Sequence, residues 1–411
     1  MKRITAIIFS FALTTVSTAQ KNQLDYYIGQ AITSSPLLKD YKNQAALAAY
    51  DSLLIVLGYK PQFTASALGA YAPVIKGWGY DAAITNGQNV NALFGVSQQI
   101  PNKKTLHSQF ETLQLQNLSL ANTSKMTEQD LKKNITAQYI TAWSGLQTLH
   151  FNTEIRDLLA KEEIILKKLT QDNVYRQVDY LAFLVTLQQQ ELQLRQQSIQ
   201  YRYDVAGLNY LSGIKDTTAV DLAEPLLSLA TLPDAKSSVF YKQYEIDSLK
   251  LANSRALVDI NYRPKITLSA DAGYNSSLMV TPYKNIGTSV SVTATVPLYR
   301  YKQKQIEYSK IKLSEKTLTG NKEFFIRQRD QQLAQLYQQL NATEDLIKEI
   351  NKQLKYTQSL IDVNERLLNS GEVKITDFIL ALNNYITAKN LIAQNTVARL
   401  QIINQINYWN R

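Results

Sequence analysis

The residue types that most often carry out catalysis are scarce in this chain. It contains only two histidines, His107 and His150, and no cysteine. Thiolate chemistry and disulfides are therefore excluded, and neither histidine lies in a metal-binding pattern such as His-Glu-x-x-His. Adjacent carboxylates such as Glu162 and Glu163 fall within a helical pattern, where we expect them to face solvent. The sequence predicts no enzyme, no catalytic residue, no cofactor and no metal site.

The chain carries a formal net charge of +10 at pH 7. The positive charges are spread along its length, with one denser patch between Arg300 and Lys316. Nucleic-acid binding favours a concentrated basic face interleaved with exposed aromatic residues. The sequence therefore predicts no nucleic-acid partner, and a solvated surface with some contact to phospholipid.

The N-terminus has the pattern of a secretory signal peptide. Lys2 and Arg3 precede an apolar stretch from Ile4 to Val16, and small residues follow up to Ala19. An uncleaved membrane anchor is the alternative, but the apolar stretch is shorter than the roughly 18 residues that a membrane helix needs. We expect residues 1–19 to be a signal peptide and the mature protein to be exported.

The rest of the chain repeats itself. Residues 59–71 match residues 262–274, with Tyr, Pro, Thr, Ser, Ala and a closing Tyr at the same positions. The two segments are 203 residues apart. A period this long indicates a duplicated structural unit and not a solenoid of short repeats. We predict a first repeat at 20–212, a linker at 213–235 that contains Pro225 and Pro233, and a second repeat at 236–411.

Each repeat is predicted to contain one helix, two strands, a very long helix and a returning helix, in that order. In the first repeat these elements lie at about 22–57, 61–72, 88–100, 102–172 and 176–212. In the second repeat they lie at about 236–260, 264–275, 286–298, 300–369 and 375–409. The fold class is therefore mainly α with a small β part.

The predicted strands alternate between apolar and polar residues with a period of two. Between Ile266 and Tyr274 every second residue is apolar, and the same holds between Thr288 and Leu298. About ten alternating residues are what one tilted strand needs to cross a bilayer, although a half-buried soluble sheet produces the same pattern. Tyrosines near the strand ends favour an interfacial aromatic girdle: Tyr59, Tyr71, Tyr262, Tyr274, Tyr299 and Tyr301.

The long helix of the second repeat carries a heptad seam. Its members follow a spacing of three and four without interruption: Leu333, Leu336, Leu340, Thr343, Ile347, Ile350, Leu354, Thr357, Ile361, Asn364 and Leu368. This spacing predicts coiled-coil packing against another helix. The break around Gly371 then allows the chain to reverse into the returning helix, which makes an αα-hairpin.

Four strands cannot close a barrel, and an open strand edge is not tolerated in lipid because each unpaired backbone group costs several kcal/mol. If the strands enter a membrane, several copies of the chain must build one barrel together.

The order and duplication of the elements resemble the TolC-like outer-membrane efflux family over essentially the whole mature chain. Local similarities are Pro61 and Pro264 before the first strand of each repeat, Val296-Pro-Leu-Tyr299 after a second strand, and the segment from Gly371 to Ala381. The resemblance implies a homotrimer with a twelve-stranded transmembrane β-barrel and a periplasmic tunnel of coiled-coil hairpins. It also implies docking to a periplasmic adaptor (membrane fusion) protein and an inner-membrane pump.

The resemblance assigns candidate site residues at the turn between the long and returning helices. Asp377 matches the first acidic ring that narrows the family's tunnel, so it is a channel-gate candidate. The alternative is that Asp377 is an exposed carboxylate at the start of a helix, near the positive end of the helix dipole. In this part of the chain Val178 aligns with Val373, a shift of 195 residues. At this shift the first-repeat counterpart of Asp377 is Ala182, and Arg176 and Gln177 stand in place of the glycine-containing turn. Candidates for adaptor docking are Arg176, Gln177, Val178, Gly371, Glu372 and Val373.

We therefore expect the exit duct of a tripartite efflux or type I secretion system in the outer membrane of a Gram-negative bacterium, extending into the periplasm. The alternative is a periplasmic coiled-coil adaptor or scaffold without a membrane barrel. Such a protein normally has one hairpin and not two matched ones, and it would be recovered as a soluble periplasmic protein.

Overall fold

A computed structural model describes residues 23–81, 87–231, 234–279, 281–297 and 302–409. The first half contains α1 (Leu24–Ser34), α2 (Pro36–Gly58), β1 (Gln62–Tyr71), β2 (Gln88–Ile100), α3 (Lys103–Gln171) and α4 (Gln177–Leu211). The second half contains α5 (Val239–Asn261), β3 (Lys265–Ser276), β4 (Ile286–Thr295), α6 (Gln303–Asn369) and α7 (Ile375–Tyr408). The signal peptide predicted at 1–19 lies outside the described residues. A mainly helical chain with one small sheet is confirmed.

The first helix differs from its prediction. A single helix was expected over about 22–57, but α1 ends at Ser34 and α2 begins at Pro36. Pro36 lacks a backbone N–H and is suited to the first position of a helix. Ser35 caps α2, because its Oγ accepts a hydrogen bond from the amide of Leu38 at 3.3 Å. Proline and the capping serine together divide the predicted helix in two.

The last strand is shorter than its prediction of 286–298, because β4 ends at Thr295. Pro297 follows two residues later and has no N–H to donate to a strand ladder. The predicted strand ended at Leu298, and two of the predicted interface tyrosines are Tyr299 and Tyr301. These three residues lie outside the described residues.

The described residues form two compact units, each with segments from both halves of the chain. Unit 1 comprises the described residues of 1–39, 124–241 and 324–411. Unit 2 comprises the described residues of 40–123 and 242–323, and it contains the whole sheet.

Unit 1 is held together by helix packing along the predicted seam of α6. All eleven seam residues from Leu333 to Leu368 are buried or half-buried. Leu333, Leu336 and Leu340 form one apolar cluster with Ile403 and Ile406 of α7. The heptad spacing therefore corresponds to a helix–helix contact, as left-handed coiled-coil packing requires.

The segment between the two halves is tied to unit 1 by side chains. The hydroxyl of Tyr139 donates to the carbonyl of Ala223 at 2.7 Å, and that of Tyr201 donates to the carbonyl of Val220. Asn407 of α7 donates to the carbonyl of Ser228 at 2.8 Å and accepts from the amide of Ala230 at 2.9 Å. The segment has little regular structure of its own, so these hydrogen bonds fix its path.

Unit 2 is built on an antiparallel sheet with the strand order β1-β2-β3-β4. The central pair, β2 and β3, comes from different halves of the chain, with Val96 opposite Ala270. Within the described residues β1 pairs only with β2 and β4 only with β3, so both outer edges are open.

The strand register places most apolar positions of the four strands on one face of the sheet, whereas Leu68 and Leu93 lie on the other face. Directly opposed residues in an antiparallel pair point to the same side. Phe63, Val96, Ala270 and Val290 form one such row across the sheet, and the next rows on this face continue the pattern. The other members of the apolar face are Ala65, Ala67, Tyr71, Val90, Ala92, Phe94, Ile100, Ile266, Leu268, Ala272, Tyr274, Ile286, Val292 and Ala294. The opposite face is mainly polar.

This apolar face is open to its surroundings. Phe63, Phe94 and Val290 retain 82%, 76% and 84% of their accessible surface. A soluble protein rarely leaves a continuous apolar patch of this extent uncovered. The alternation seen in the sequence is therefore not that of a sheet packed against this chain's own core.

Candidate functional site

The turn between α3 and α4 has a specific capping geometry. Asn173 adopts a left-handed backbone with φ of 59°. The amide of Val174 donates to the carbonyl of Leu169 at 2.8 Å, and that of Asn173 donates to Thr170 at 3.1 Å. These are the two hydrogen bonds of a Schellman motif, in which asparagine is the usual substitute for glycine.

The turn between α6 and α7 repeats this geometry. Gly371 has φ of 79°, and the amide of Glu372 donates to the carbonyl of Leu367 at 2.9 Å. The amide of Gly371 donates to Leu368 at 3.2 Å, which completes the same pair of bonds. We refer to residues 172–176 and 370–374 as the paired turns.

The two turns correct the assignment of counterparts made from the sequence. Asn173, not Arg176 or Gln177, occupies the position of Gly371, and the helices that follow begin at Gln177 and Ile375. Asp179 therefore has the same place in its helix as Asp377, and Ala182 is not its counterpart. The sequence alignment missed Asp179 because it matched the apolar residues of the two helices at a shift that differs by three residues, about one helical turn, from the correspondence of the turns. An asparagine or glycine six residues before an aspartate is the signal that finds both.

The paired turns are in contact with each other. Tyr175 donates from its hydroxyl to the carbonyls of Leu368 and Val373, at 3.0 and 2.8 Å. Burial raises the pKa of this hydroxyl, so it stays protonated and keeps donating. A Cβ atom at Gly371 itself would lie 2.7 Å from a methyl group of Val174, so a side chain at this position would strain both the backbone and this contact.

An aromatic core lies beneath the paired turns. The rings of Phe183 and Phe378 are 6.4 Å apart, and both side chains are fully buried. Leu166, Leu368 and Ile375 belong to the same apolar cluster, which joins residues of four helices. This core holds the first turns of α4 and α7 in place.

The two equivalent aspartates have different surroundings. Arg176 binds the carboxylate of Asp179 through two hydrogen bonds, of 2.8 and 2.9 Å. This contact, together with the charges of Arg176 and Lys374, holds the pKa of Asp179 below its ordinary value. Asp377 is exposed, and its side chain forms no hydrogen bond or ion pair with any described residue. Only Asp377 is free to interact outside its own chain.

The six residues predicted for docking all lie at the paired turns, but they differ in exposure. Arg176, Gln177, Val178 and Glu372 are exposed. Gly371 and Val373 are half-buried between the two turns, where Val373 accepts the hydrogen bond from Tyr175. The first four can contact a partner directly, and the other two shape the surface that presents them.

The predicted interface tyrosines lie at two levels of the sheet. Tyr59 and Tyr262 precede β1 and β3, and Tyr71 and Tyr274 lie at or near the other ends of these strands. Twelve residues separate the members of each pair, which is roughly 40 Å along an extended strand. With a tilt of about 45°, that is roughly 28 Å along the normal of a bilayer, close to the apolar thickness that a barrel covers.

No other part of the described chain suggests a catalytic or metal site. His107 is exposed and lies 3.9 Å from Glu111. Within residues 23–81, 87–231, 234–279, 281–297 and 302–409, no group of three or more histidines and carboxylates could hold a metal ion. Among these same residues, no helix combines the length and apolar character needed to cross a membrane.

No protein-family model and no curated protein matches the chain by sequence. Solved structures match it by fold. CusC, described for transmembrane channel formation, superposes with a TM-score of 0.74 at 13% identity, over 95% of this chain and 92% of CusC. The outer membrane protein VceC of Vibrio cholerae gives 0.71 at 12%, over 94% and 96%. The MtrE outer membrane channel of Neisseria gonorrhoeae gives 0.71 at 12%, over 94% and 88%.

The chain has the fold of these three proteins. At this level of identity the likeness establishes the fold, and it does so over nearly the full length of both chains. The TolC-like fold predicted from the order of helices and strands is therefore confirmed.

One carboxylate in this fold departs from the sequence-based expectation. Glu162 of α3 was expected to face solvent, but its side chain is completely buried. Neither of its carboxylate oxygens accepts a hydrogen bond from a described residue, and the ammonium of Lys161 is 3.8 Å away. That ammonium binds Glu365 of α6 more closely, at 2.6 Å. Burial, reinforced by the charge of Glu365 and opposed by that of Lys161, raises the pKa of Glu162 to about 7.

The buried carboxyl predicts a specific pH dependence of stability. The ordinary pKa of Glu162 is 4.5, so its native state retains the proton to higher pH than the unfolded state. Its contribution to the free energy of unfolding therefore falls as the pH rises from 4.5 to about 7 and stays lowered above that. Glu162→Gln should melt a few degrees above wild type at about pH 8 and close to it at about pH 5, as measured by circular dichroism in detergent.

The matched control is Glu349→Gln on α6, an exposed carboxylate paired with Lys352 at 2.7 Å. It should change the melting temperature little at either pH, because exposed ion pairs contribute little. An equal shift for Glu162→Gln at both pH values would contradict the assignment.

Proposed function

We propose that this chain is one subunit of an outer-membrane channel, the exit duct of a tripartite efflux or type I secretion system. The observation that carries the proposal is the apolar face of the sheet. Four strands of about ten residues each expose one continuous apolar side, and the fold is that of VceC and MtrE, which are described as outer-membrane proteins. In lipid such a face is solvated by acyl chains, whereas in water it would cause aggregation.

The open strand edges support assembly from several copies. Each of β1 and β4 presents one row of backbone N–H and C=O groups without partners in the described chain. Within lipid these groups must be satisfied, and pairing β4 of one copy with β1 of the next satisfies both edges. Three copies would contribute twelve strands, which is the homotrimeric barrel expected from the family resemblance.

Exposed apolar helix faces next to the two edges support the same arrangement. Leu47, Tyr50, Leu54 and Leu57 are exposed on α2, which leads into β1, and their spacing is three, four and three. Ile306 and Leu313, seven residues apart, are exposed on α6, which follows β4. A spacing of this kind is typical of faces that pack against another helix. We assign them to the contact between neighbouring subunits.

The repeated element order supports a duplicated unit, with the repeats at 20–212 and 236–411 joined through 213–235. In this arrangement the signal peptide at 1–19 directs export, and the sheet lies in the outer membrane. The helices extend into the periplasm, where the paired turns face an adaptor protein and an inner-membrane pump. Arg176, Gln177, Val178 and Glu372 would contact the adaptor.

The free aspartate of the paired turns is the candidate gate. Three copies of Asp377 around a channel axis would form one acidic ring that attracts cations and repels anions. Asp179 is a poor alternative, because its charge is already neutralised by Arg176. The periplasmic scaffold without a barrel is the less favoured function, because it would leave the apolar face of the sheet in water.

A lysine on the apolar face tests the membrane position of the sheet. Val290→Lys places a charge near the middle of the proposed lipid-facing surface, at a cost of roughly 2–4 kcal/mol per copy. We expect the variant to be lost from the heat-modifiable outer-membrane fraction. Ser291→Lys, the next residue on the polar face, should assemble like wild type. If both variants fractionate alike, or if the wild type is a freely soluble periplasmic protein, the channel proposal fails.

Cysteine cross-linking tests the pairing of β4 with β1. The chain has no native cysteine, so every disulfide must come from the introduced residues. Ser66→Cys on β1, combined in turn with cysteine at Ser289, Ser291 or Thr293 on β4, should yield covalent trimers at one register. Ser66→Cys with Ser269→Cys on β3 is the control, because an inner strand cannot meet β1 of another copy. Only monomers in every combination would exclude the shared sheet.

Conductance in planar bilayers tests the gate. Asp377→Ala should lower the preference of the pore for cations over anions, because it removes three free carboxylates. Asp179→Ala is the matched variant at the equivalent helix position and should leave the preference near that of wild type. Unchanged selectivity in Asp377→Ala would remove this residue from the gate without affecting the channel proposal.

A further inference from the structure

Basic residues cluster at one end of the sheet in unit 2. The end at which the strands meet helices carries Lys60 before β1, Lys103 and Lys104 after β2, and Arg263 and Lys265 at the start of β3. The register brings these positions together at one end of the strands, since Ile100 lies opposite Ile266 and Lys265 lies opposite Thr295. We call these five residues the basic belt.

The opposite end of the sheet differs in charge. Its described connections, within residues 72–81 and 277–285, contain only Lys76, Asp81 and Lys284 as charged residues. The positive charge is therefore concentrated at one end of the strands and is not spread over the sheet as a whole. A charge asymmetry of this kind is what a surface needs to bind an anionic layer at a defined depth.

The charges of the basic belt are available for binding. None of its five residues forms an ion pair with a described residue. The nearby Asp259 is already engaged, because it lies 2.8 Å from the ammonium of Lys304 and accepts a hydrogen bond of 2.6 Å from Tyr308. The charge of Arg263 also helps to lower the pKa of Asp259, so this carboxylate is shared among Lys304, Tyr308 and Arg263. Lys60, Lys103, Lys104 and Lys265 have no such carboxylate among the described ion pairs.

A cleft lies within the belt between α3 and α5. Its volume is about 500 Å³, and its charged lining residues are the cations Lys103, Lys104 and Arg263 and the carboxylates Glu111 and Asp259, so the cations are in excess. Ala256 and Ile260 contribute apolar surface to the same cleft. Cations above an apolar floor suit an amphiphile that has an anionic headgroup and a hydrocarbon part.

We propose that the basic belt binds the phosphate headgroups of anionic phospholipid in the membrane leaflet that faces the periplasm. The proposal rests on the proposed function, since the channel orientation places this edge of the sheet at that leaflet. The tyrosines Tyr59 and Tyr262 lie at the same level, where an aromatic girdle marks the membrane interface. The phospholipid contact fixes the depth of the barrel on its helical side.

Native mass spectrometry of the detergent-purified assembly tests the belt, with phosphatidylglycerol and phosphatidylcholine as probes. Wild type should retain phosphatidylglycerol in preference to phosphatidylcholine, and the preference should weaken with salt. The variant Lys103→Gln/Lys104→Gln/Arg263→Gln should bind phosphatidylglycerol roughly tenfold or more weakly. Replacing both lysines with arginine keeps the charge and should keep the preference, which separates loss of binding from misfolding.

The control variant removes the same charge elsewhere: Lys348→Gln/Lys352→Gln/Lys355→Gln on α6 in unit 1. A similar loss in this control, a preference that persists in the belt variant, or displacement of the lipid by millimolar inorganic phosphate alone would overturn the proposal. Conductance in phosphatidylcholine bilayers keeps the two proposals apart. Channels formed there by the belt variant leave the proposed function intact, whereas absence of channels from wild type would sink that function whatever the lipid result.

Discussion

The backbone hydrogen bonds between β2 and β3 set the phase of the whole sheet. These strands come from different halves of the chain, and their register aligns Phe94 with Ala272 and Val96 with Ala270. A slip of one residue would move every apolar side chain of one half to the polar face. Each half would still alternate, but the four strands would no longer share an apolar side. The proposed membrane position of the sheet, and with it the proposed pairing of strand edges between copies, depends on this register.

Each of the two units draws on both halves of the sequence. In unit 2 the halves meet through strand pairing, which is directional and register-specific. In unit 1 they meet through apolar clusters such as that of Phe183 and Phe378, and through the hydroxyl of Tyr175 between the paired turns. Neither half of the sequence can therefore bury its apolar residues without the other, because each half alone would expose an apolar surface.

The sequence predicted those features that depend on periodicity. Strand alternation and the seam from Leu333 to Leu368 are repeated patterns, and a repeated pattern determines which face is apolar without knowledge of the partner. The missed features depend on a single residue or a neighbour in space. Ser35 divides the first helix through a local cap, and Asn173 substitutes for glycine at a helix end. The burial of Glu162 arises from the packing of α3 against other helices, which no local pattern records.

The connection between the halves, at 213–235, has a consequence for how the chain can be cut or rearranged. Tyr139 and Tyr201 of the first half and Asn407 of the last helix form hydrogen bonds with its backbone. It is therefore an anchored segment and not a flexible linker. Surface loops usually accept insertions and new termini, but a change in the length of a segment that is anchored on both sides disturbs the contacts at both anchors. The two halves could not exchange between neighbouring copies through this connection without first breaking those tyrosine and asparagine contacts.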